Sequence, residues 1–159
     1  VHAVMDQQMA TSRPLVPEGE YNAVTEEVTS SQFRIQSSEK TKPGENGNDR
    51  NGKRLLLDLV WSIDDARVAA ATNRSKNTCR QSVFIDVTPD SDIEAGHFTI
   101  ATGDEYNLGL GRLRKIFDQN ENGRPWSFSM LGGKAAKITV THTKSGDNEY
   151  DNVKKVVAL

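Results

Sequence analysis

The sequence predicts an all-β protein: a five-stranded barrel with one helix between strands three and four and a long loop between strands one and two. Three observations carry this. Apolar runs flank a basic Gly/Asn loop, one stretch alone sustains helical spacing, and the chain closes with two alternating runs joined by a Gly/Asp turn.

The lead-in ends in Pro14 and Pro17, so residues 1–17 read as a flexible N-terminal segment. Residues 18–159 read as one domain, because a chain of 159 residues suffices for one full core and falls short of two. Hydrophobic residues make up 35% of the chain, so the core is expected to be modest. Gly19 to Thr29 is rich in Val and Thr and continues through Gln32 to Gln36, with Phe33 and Ile35 in phase, as a strand one bent near Ser30 and Ser31. Ser37 to Gly52 carries Pro43, Gly44, Gly47, Asn46, Asn48 and Asn51, a composition that buries little and predicts a long, basic, mobile loop. From Lys53 to Ile63, Leu55, Leu57, Leu59, Trp61 and Ile63 share one face and Arg54, Leu56, Asp58, Val60 and Ser62 the other, which is strand two.

Asp64 to Ser75 is Ala-rich, with acids first and Arg74 near its end, and predicts a short inserted helix. Thr78 to Val87 is strand three, with Val83, Ile85 and Val87 opposite Arg80, Ser82, Phe84 and Asp86. Thr102 and Glu105 fit a capping box, and Tyr106, Leu110, Leu113 and Phe117 follow at helical spacing until Gly123 and Pro125. Lys134 to Thr143 and Tyr150 to Leu159 then form a hairpin about a turn at Lys144 to Asn148. This order resembles an OB-fold, a small barrel that commonly binds single-stranded nucleic acid.

The net charge of −2 by itself speaks against a nucleic-acid binder. Its distribution is polarised. Residues 40–54 are net +3, residues 66–82 net +4, and residues 83–106 net −6. Such polarity can steer an anion despite a near-neutral total.

Catalytic signatures are weak. His2, His97, His142 and Cys79 lack metal-ligand spacing, so no metal or other cofactor is expected. Gly109-Leu110-Gly111 falls inside the predicted helix instead of after a strand and reads as close packing. The acids Asp64, Asp65 and those between Asp86 and Glu94 read as a helix start and a solvated loop, not a two-metal site. No nucleophile, base and orienter can be assembled, so the expectation is a non-enzyme. One cysteine forms no intramolecular disulfide, which makes a cytoplasmic protein the default. No apolar stretch approaches the roughly 18–20 residues that span a bilayer, and residues 1–18 lack the order of a signal peptide.

Single-strand binding needs cations for phosphates and flat surfaces for bases. Phe84 lies out of phase with the core and on the face of Arg80, either as a stacking platform or as a cross-strand packing group. Phase puts Phe33 and Trp61 toward the core unless the strand bends, while Tyr150 shares a face with Asn152 and Lys154. The candidate DNA contacts are Phe33, Arg34, Lys40, Lys42, Arg50, Lys53, Arg54, Trp61, Arg74, Lys76, Arg80, Phe84, Tyr150 and Lys154.

The opening VPEGEYNAV, the strand RLLLDLVWSI, the helix GLGRLRKIF and the closing LGGKAAKITVTHTKSGDNEYDNVKKV together resemble bacteriophage OB-fold single-stranded-DNA-binding proteins, over roughly residues 15–159. The sharpest likeness is the Leu-x-Gly-Lys step into a strand, followed by a polar turn and a Tyr-x-x-Val-Lys strand. The resemblance implies a non-catalytic protein of the host cytoplasm that coats single-stranded DNA, with little sequence preference, during phage replication or recombination. It implies phage replication proteins as further partners, no membrane, and self-association as a homodimer or a cooperative array. It also implies that the loops Ser37 to Gly52 and Thr143 to Glu149 flank the binding face. Such proteins often end in an acidic tail; this chain ends in Val156-Val157-Ala158-Leu159. The competing expectation is a phage virion or assembly β-domain that uses the same strands only for packing. A nuclease on the same frame would need the carboxylate cluster that the spacing lacks.

Overall fold

The computed structural model describes residues 13–159. Six antiparallel strands form one sheet: β1 (Gly19–Thr25), β2 (Phe33–Gln36), β3 (Arg54–Ile63), β4 (Asn77–Ile85), β5 (Ala135–Ser145) and β6 (Asn148–Val157), with α1 (Ala66–Thr72) and α2 (Leu108–Ile116) inserted. The chain is therefore mostly β, as its alternation predicts.

β3 organises the sheet. Along one edge it pairs with β4 over its whole length, from Leu55↔Ile85 to Ile63↔Asn77. Its other edge is shared: β2 covers Arg54 to Leu57, and β1 meets Trp61 and Ser62. β1 continues the sheet through β5, and β5 through β6 with a register shift at Thr139/Val140. β6 also lies beside β4.

The single bent strand expected from Gly19 to Gln36 is thus two strands. Between them, Thr29 and Gln32 cap a 3-10 turn at Ser30–Gln32. The break has a cause remote in sequence, the turn Leu131-Gly132-Gly133-Lys134, which docks on it. Thr25 Oγ1 donates to the Leu131 carbonyl at 2.5 Å and accepts from the Lys134 N–H at 2.8 Å, while the Gly133 N–H reaches the Thr25 carbonyl. A Cβ on Gly132 would stand 3.2 Å from the Glu27 Cα, which accounts for glycine there.

Asp65 caps α1 by accepting from the Arg67 N–H, and Asn73 ends it in the left-handed region, close to the predicted insertion. α2 begins later than the Thr102/Glu105 box predicts. Asn107, at φ 53°, is its N-cap. Its side chain bonds the Asp86 N–H, the Asp86 carbonyl and the Ala101 carbonyl, and the Asp86 carboxylate accepts its N–H at 2.7 Å. That knot fixes the helix start, so Thr102 to Tyr106 are turn. The hairpin turn is tighter than expected: only Gly146 and Asp147 separate β5 from β6, and the predicted 143–149 loop is mostly strand.

The core follows the predicted phase of β3. Leu57, Leu59, Trp61 and Ile63 are fully buried against Ile85, Leu113, Leu131, Ile138 and Val140. Residues 1–12 of the expected flexible N-terminal segment lie outside the described residues. Packing starts before residue 18, however. Val16 is fully buried and its N–H donates to Asp151 Oδ2 at 2.8 Å, with Arg13 paired to the same carboxylate.

Candidate nucleic-acid interface

In a strand pair, directly opposed residues point to the same side of the sheet. The registers therefore place Arg34, Leu56 and Phe84 in one row across β2, β3 and β4. Gln36 and Arg54 form the neighbouring row on one side; Asp58 with Ser82, then Val60 with Arg80, follow on the other. All point away from Leu55, Leu57 and Leu59, so this is the outer face of the three strands, on which Leu56, at the centre of its row, is nonetheless buried. Phe84 is 47% exposed. The Arg54 guanidinium carbon stands 4.8 Å from its ring centroid, a cation-π pair, and no ion pair engages Arg54 among the described residues.

Arg80 projects from the same face of β4 four residues away, roughly 13 Å along the strand. It too is exposed and free of ion pairs among the described residues. Arg34 differs: its Nε and Nη2 bind Asp58 at 3.1 and 3.2 Å, and Ser82 donates to the same carboxylate, so its charge is answered within the face. The face therefore offers one ring and two free guanidiniums around a neutralised centre.

Phe33 and Trp61 point the other way. Phe33 packs edge-on against Phe128, with centroids 5.1 Å apart. Trp61 is fully buried, its indole N–H bonded to Gln81 Oε1 at 2.9 Å. Both pack on the core side of the sheet, Phe33 partly buried and Trp61 fully, as alternation dictates for strands that do not bend at those residues, so neither shares the face of Phe84.

The basic loop also departs from expectation. It is folded back and tied to the acidic segment by hydrogen bonds and ion pairs. The buried Asp49 carboxylate accepts the N–H groups of Asn51, Lys53 and Ile93 at 2.8 to 2.9 Å. A Cβ on Gly47 would meet the Asp86 carboxylate at 2.3 Å, so glycine is required where the loop crosses the end of β4. Arg50 pairs with Asp92 at 2.8 Å and Lys53 with Glu94 at 3.3 Å, while Lys42 stands 3.9 Å from Glu45. The Arg50 guanidinium holds the Asp92 carboxyl below its ordinary value. The acidic segment of residues 83–106, which the sequence predicts to include a solvated loop, lies against this basic loop and offsets its charge. Lys40 is exposed and unpaired among the described residues.

Arg74 and Lys76 sit between α1 and β4, at the strand end opposite Phe84, and Lys76 pairs with Glu26 at 3.6 Å. The structure does not gather them with the ring. Tyr150, 52% exposed, and Lys154 lie on the outer face of β6, a separate strand. A basic run on α2, Arg112-Leu113-Arg114-Lys115, belongs to a surface that the sequence reading omitted. Three cations in four residues were the available signal.

Among the described residues no group of His, Cys, Asp and Glu side chains is placed to hold a metal ion, and no helix is long and apolar enough to cross a membrane. Comparison with protein-family models, with curated proteins and with solved structures gave no match.

Proposed function

We propose that this chain binds single-stranded DNA, with little sequence preference and without catalysis, across the outer face of β2, β3 and β4. The observation that carries the reading is Phe84, an aromatic ring held half-exposed near the end of β4, between the unpaired guanidiniums of Arg54 and Arg80. A base stacked on such a ring gains about 1–3 kcal/mol whatever its identity, because every base has a π-face. Phosphates on either side would displace counterions to Arg54 and Arg80, so affinity should fall steeply with salt.

The sheet's connectivity supports a further step, that it curls into an OB-type barrel. One strand with three partners turns the corner, and β4 and β6, at opposite ends of the strand order, lie side by side. In that architecture β3 and β4 supply the usual oligonucleotide face. The likeness to phage replication proteins gives the reading its setting, the coating of single strands during replication or recombination.

The test is fluorescence anisotropy of a labelled oligo-dT of about 30 nucleotides at low and moderate salt, with a duplex competitor. Tight, salt-sensitive binding that duplex does not displace is the expected result. Absence of binding at low salt would remove the proposal and leave the face to packing, as in a virion or assembly domain.

A further inference from the structure

β4 hands its outer face on to a second basic surface. Two residues beyond Phe84, Asp86 is knotted to Asn107 through both backbone and side-chain bonds, and Asn107 is the N-cap of α2. On α2, Leu108, Arg112 and Lys115 recur at i, i+4 and i+7, which stacks them in one stripe. All three are exposed, Leu108 by 54%. The stripe borders an open groove of about 850 Å³ between α2, the turn before it, and the segment from Asn120 to Trp126.

The groove's charge is one-sided. Arg112 and Lys115 have no ion-pair partner among the described residues, and Arg114 is held by the Gln119 carbonyl at 2.8 Å with its guanidinium 4.5 Å from the Trp126 ring centroid. Arg124 is partly answered by Glu121 at 3.4 Å, and Asp104 is the one carboxylate in the lining. The Trp126 ring is engaged by Arg114 and by the edge of Phe128, so stacking is largely foreclosed and charge dominates.

We infer that α2 carries a second, phosphate-tracking site, over which a single strand leaving Phe84 continues past Asn107 to Arg112 and Lys115. The occupant is the sugar-phosphate backbone of the same strand. It is favoured over a separate partner because the groove begins where the strand face ends, and because its free groups are cations. α2 is about 13 Å long, so the site lengthens the footprint without adding a base platform. This inference rests on the strand-face reading for its ligand.

The test is the double variant Arg112→Ala/Lys115→Ala, which removes two exposed side chains and leaves Arg114 and its structural bonds intact. Binding to oligo-dT of about 4 and about 30 nucleotides is measured over a fourfold range of salt, beside wild type and Phe84→Ala. Each phosphate contact contributes a salt slope of about 0.7 for single strands, so losing two should flatten the slope on the longer oligonucleotide by about 1.4, or about sevenfold less affinity lost across that range. The shorter oligonucleotide, covering the strand face alone, should bind both proteins alike. An unchanged slope on the longer oligonucleotide overturns the helix site and leaves the strand face standing. A slope lowered equally on both lengths, with Phe84→Ala without effect, overturns the strand face and makes α2 the primary site. If wild type binds neither oligonucleotide, both readings fall.

Discussion

Arg54 and Phe84 sit in adjacent rows of the β3–β4 ladder, with the guanidinium carbon 4.8 Å from the ring centroid. A cation held over an aromatic face at an exposed site contributes about 0.5–1 kcal/mol, so the pair orients the ring more than it stabilises the fold. Arg54 Nε is buried and makes no hydrogen bond, while the ring keeps half its surface open.

Phe84→Ala should weaken oligo-dT binding by about 1–3 kcal/mol with little change in salt slope. Arg80→Ala should instead flatten the slope by about 0.7, one phosphate contact. Salt titrations of the two variants separate the roles. Affinity unaltered in both would show that this face is not where DNA lies.

Trp61 makes the opposite case. Its indole is fully buried and satisfied by Gln81, so Trp61→Ala should cost about 3–5 kcal/mol of stability, read by urea denaturation. Trp61→Phe loses the hydrogen bond but keeps most of the volume, and should bind DNA normally wherever it remains folded.

Asp49 ties the long loop to the segment before α2. Asp49→Ala leaves three backbone N–H groups without their acceptor and should destabilise the fold by on the order of 3 kcal/mol. Amide exchange should quicken first at Asn51, Lys53 and Ile93. Uniform protection in the variant would mean that the loop is held by its backbone turns alone.

These cases show where the sequence is readable. β3 was legible because period-2 alternation depends only on neighbours, so Leu57, Leu59, Trp61 and Ile63 fell in phase and are buried together. Phe84 was legible as the odd member of its strand for the same reason. The loop was not. Its composition says mobile and basic, yet the Asp49 carboxylate binds an N–H 44 residues away and Arg50 finds Asp92 42 residues away. Summing charge over segments kept the basic and acidic runs apart, whereas the fold sets them side by side. The break between β1 and β2 and the late start of α2 likewise follow from Gly132 and Asp86, contacts that periodicity cannot register.

Cys79 lies opposite Trp61 in the β3–β4 ladder, and burial, with the Asp151 carboxylate adding, pushes its thiol up to about 12. At pH near 8 the native protein should be inert to a disulfide reagent, because the thiolate is the attacking species. Full reaction should appear only in denaturant. Prompt modification of the native protein would mean that β4 separates readily from β3.

His142 joins the N-terminal lead-in to the hairpin. Its Nε2 lies 2.7 Å from the Val16 carbonyl, which only accepts, so Nε2 carries the proton. Nδ1 stands 3.1 Å from Glu149 Oε1 and can donate there only when the ring is cationic. The Val16 bond first, and the Glu18 and Glu149 carboxylates with it, raise the pKa above its ordinary value near 6.5. A raised folded-state value means that the stabilisation is fully present below the unfolded value and is lost as pH climbs through the folded one. Wild type should therefore exceed His142→Gln in melting temperature by most near pH 5.5, and the margin should shrink toward pH 8. What remains at pH 8 measures the Val16 bond, which the neutral ring still makes. A margin that stayed flat from pH 5.5 to 8 would show that neither the Val16 bond nor the Glu18 and Glu149 carboxylates favour the cationic ring over the neutral one.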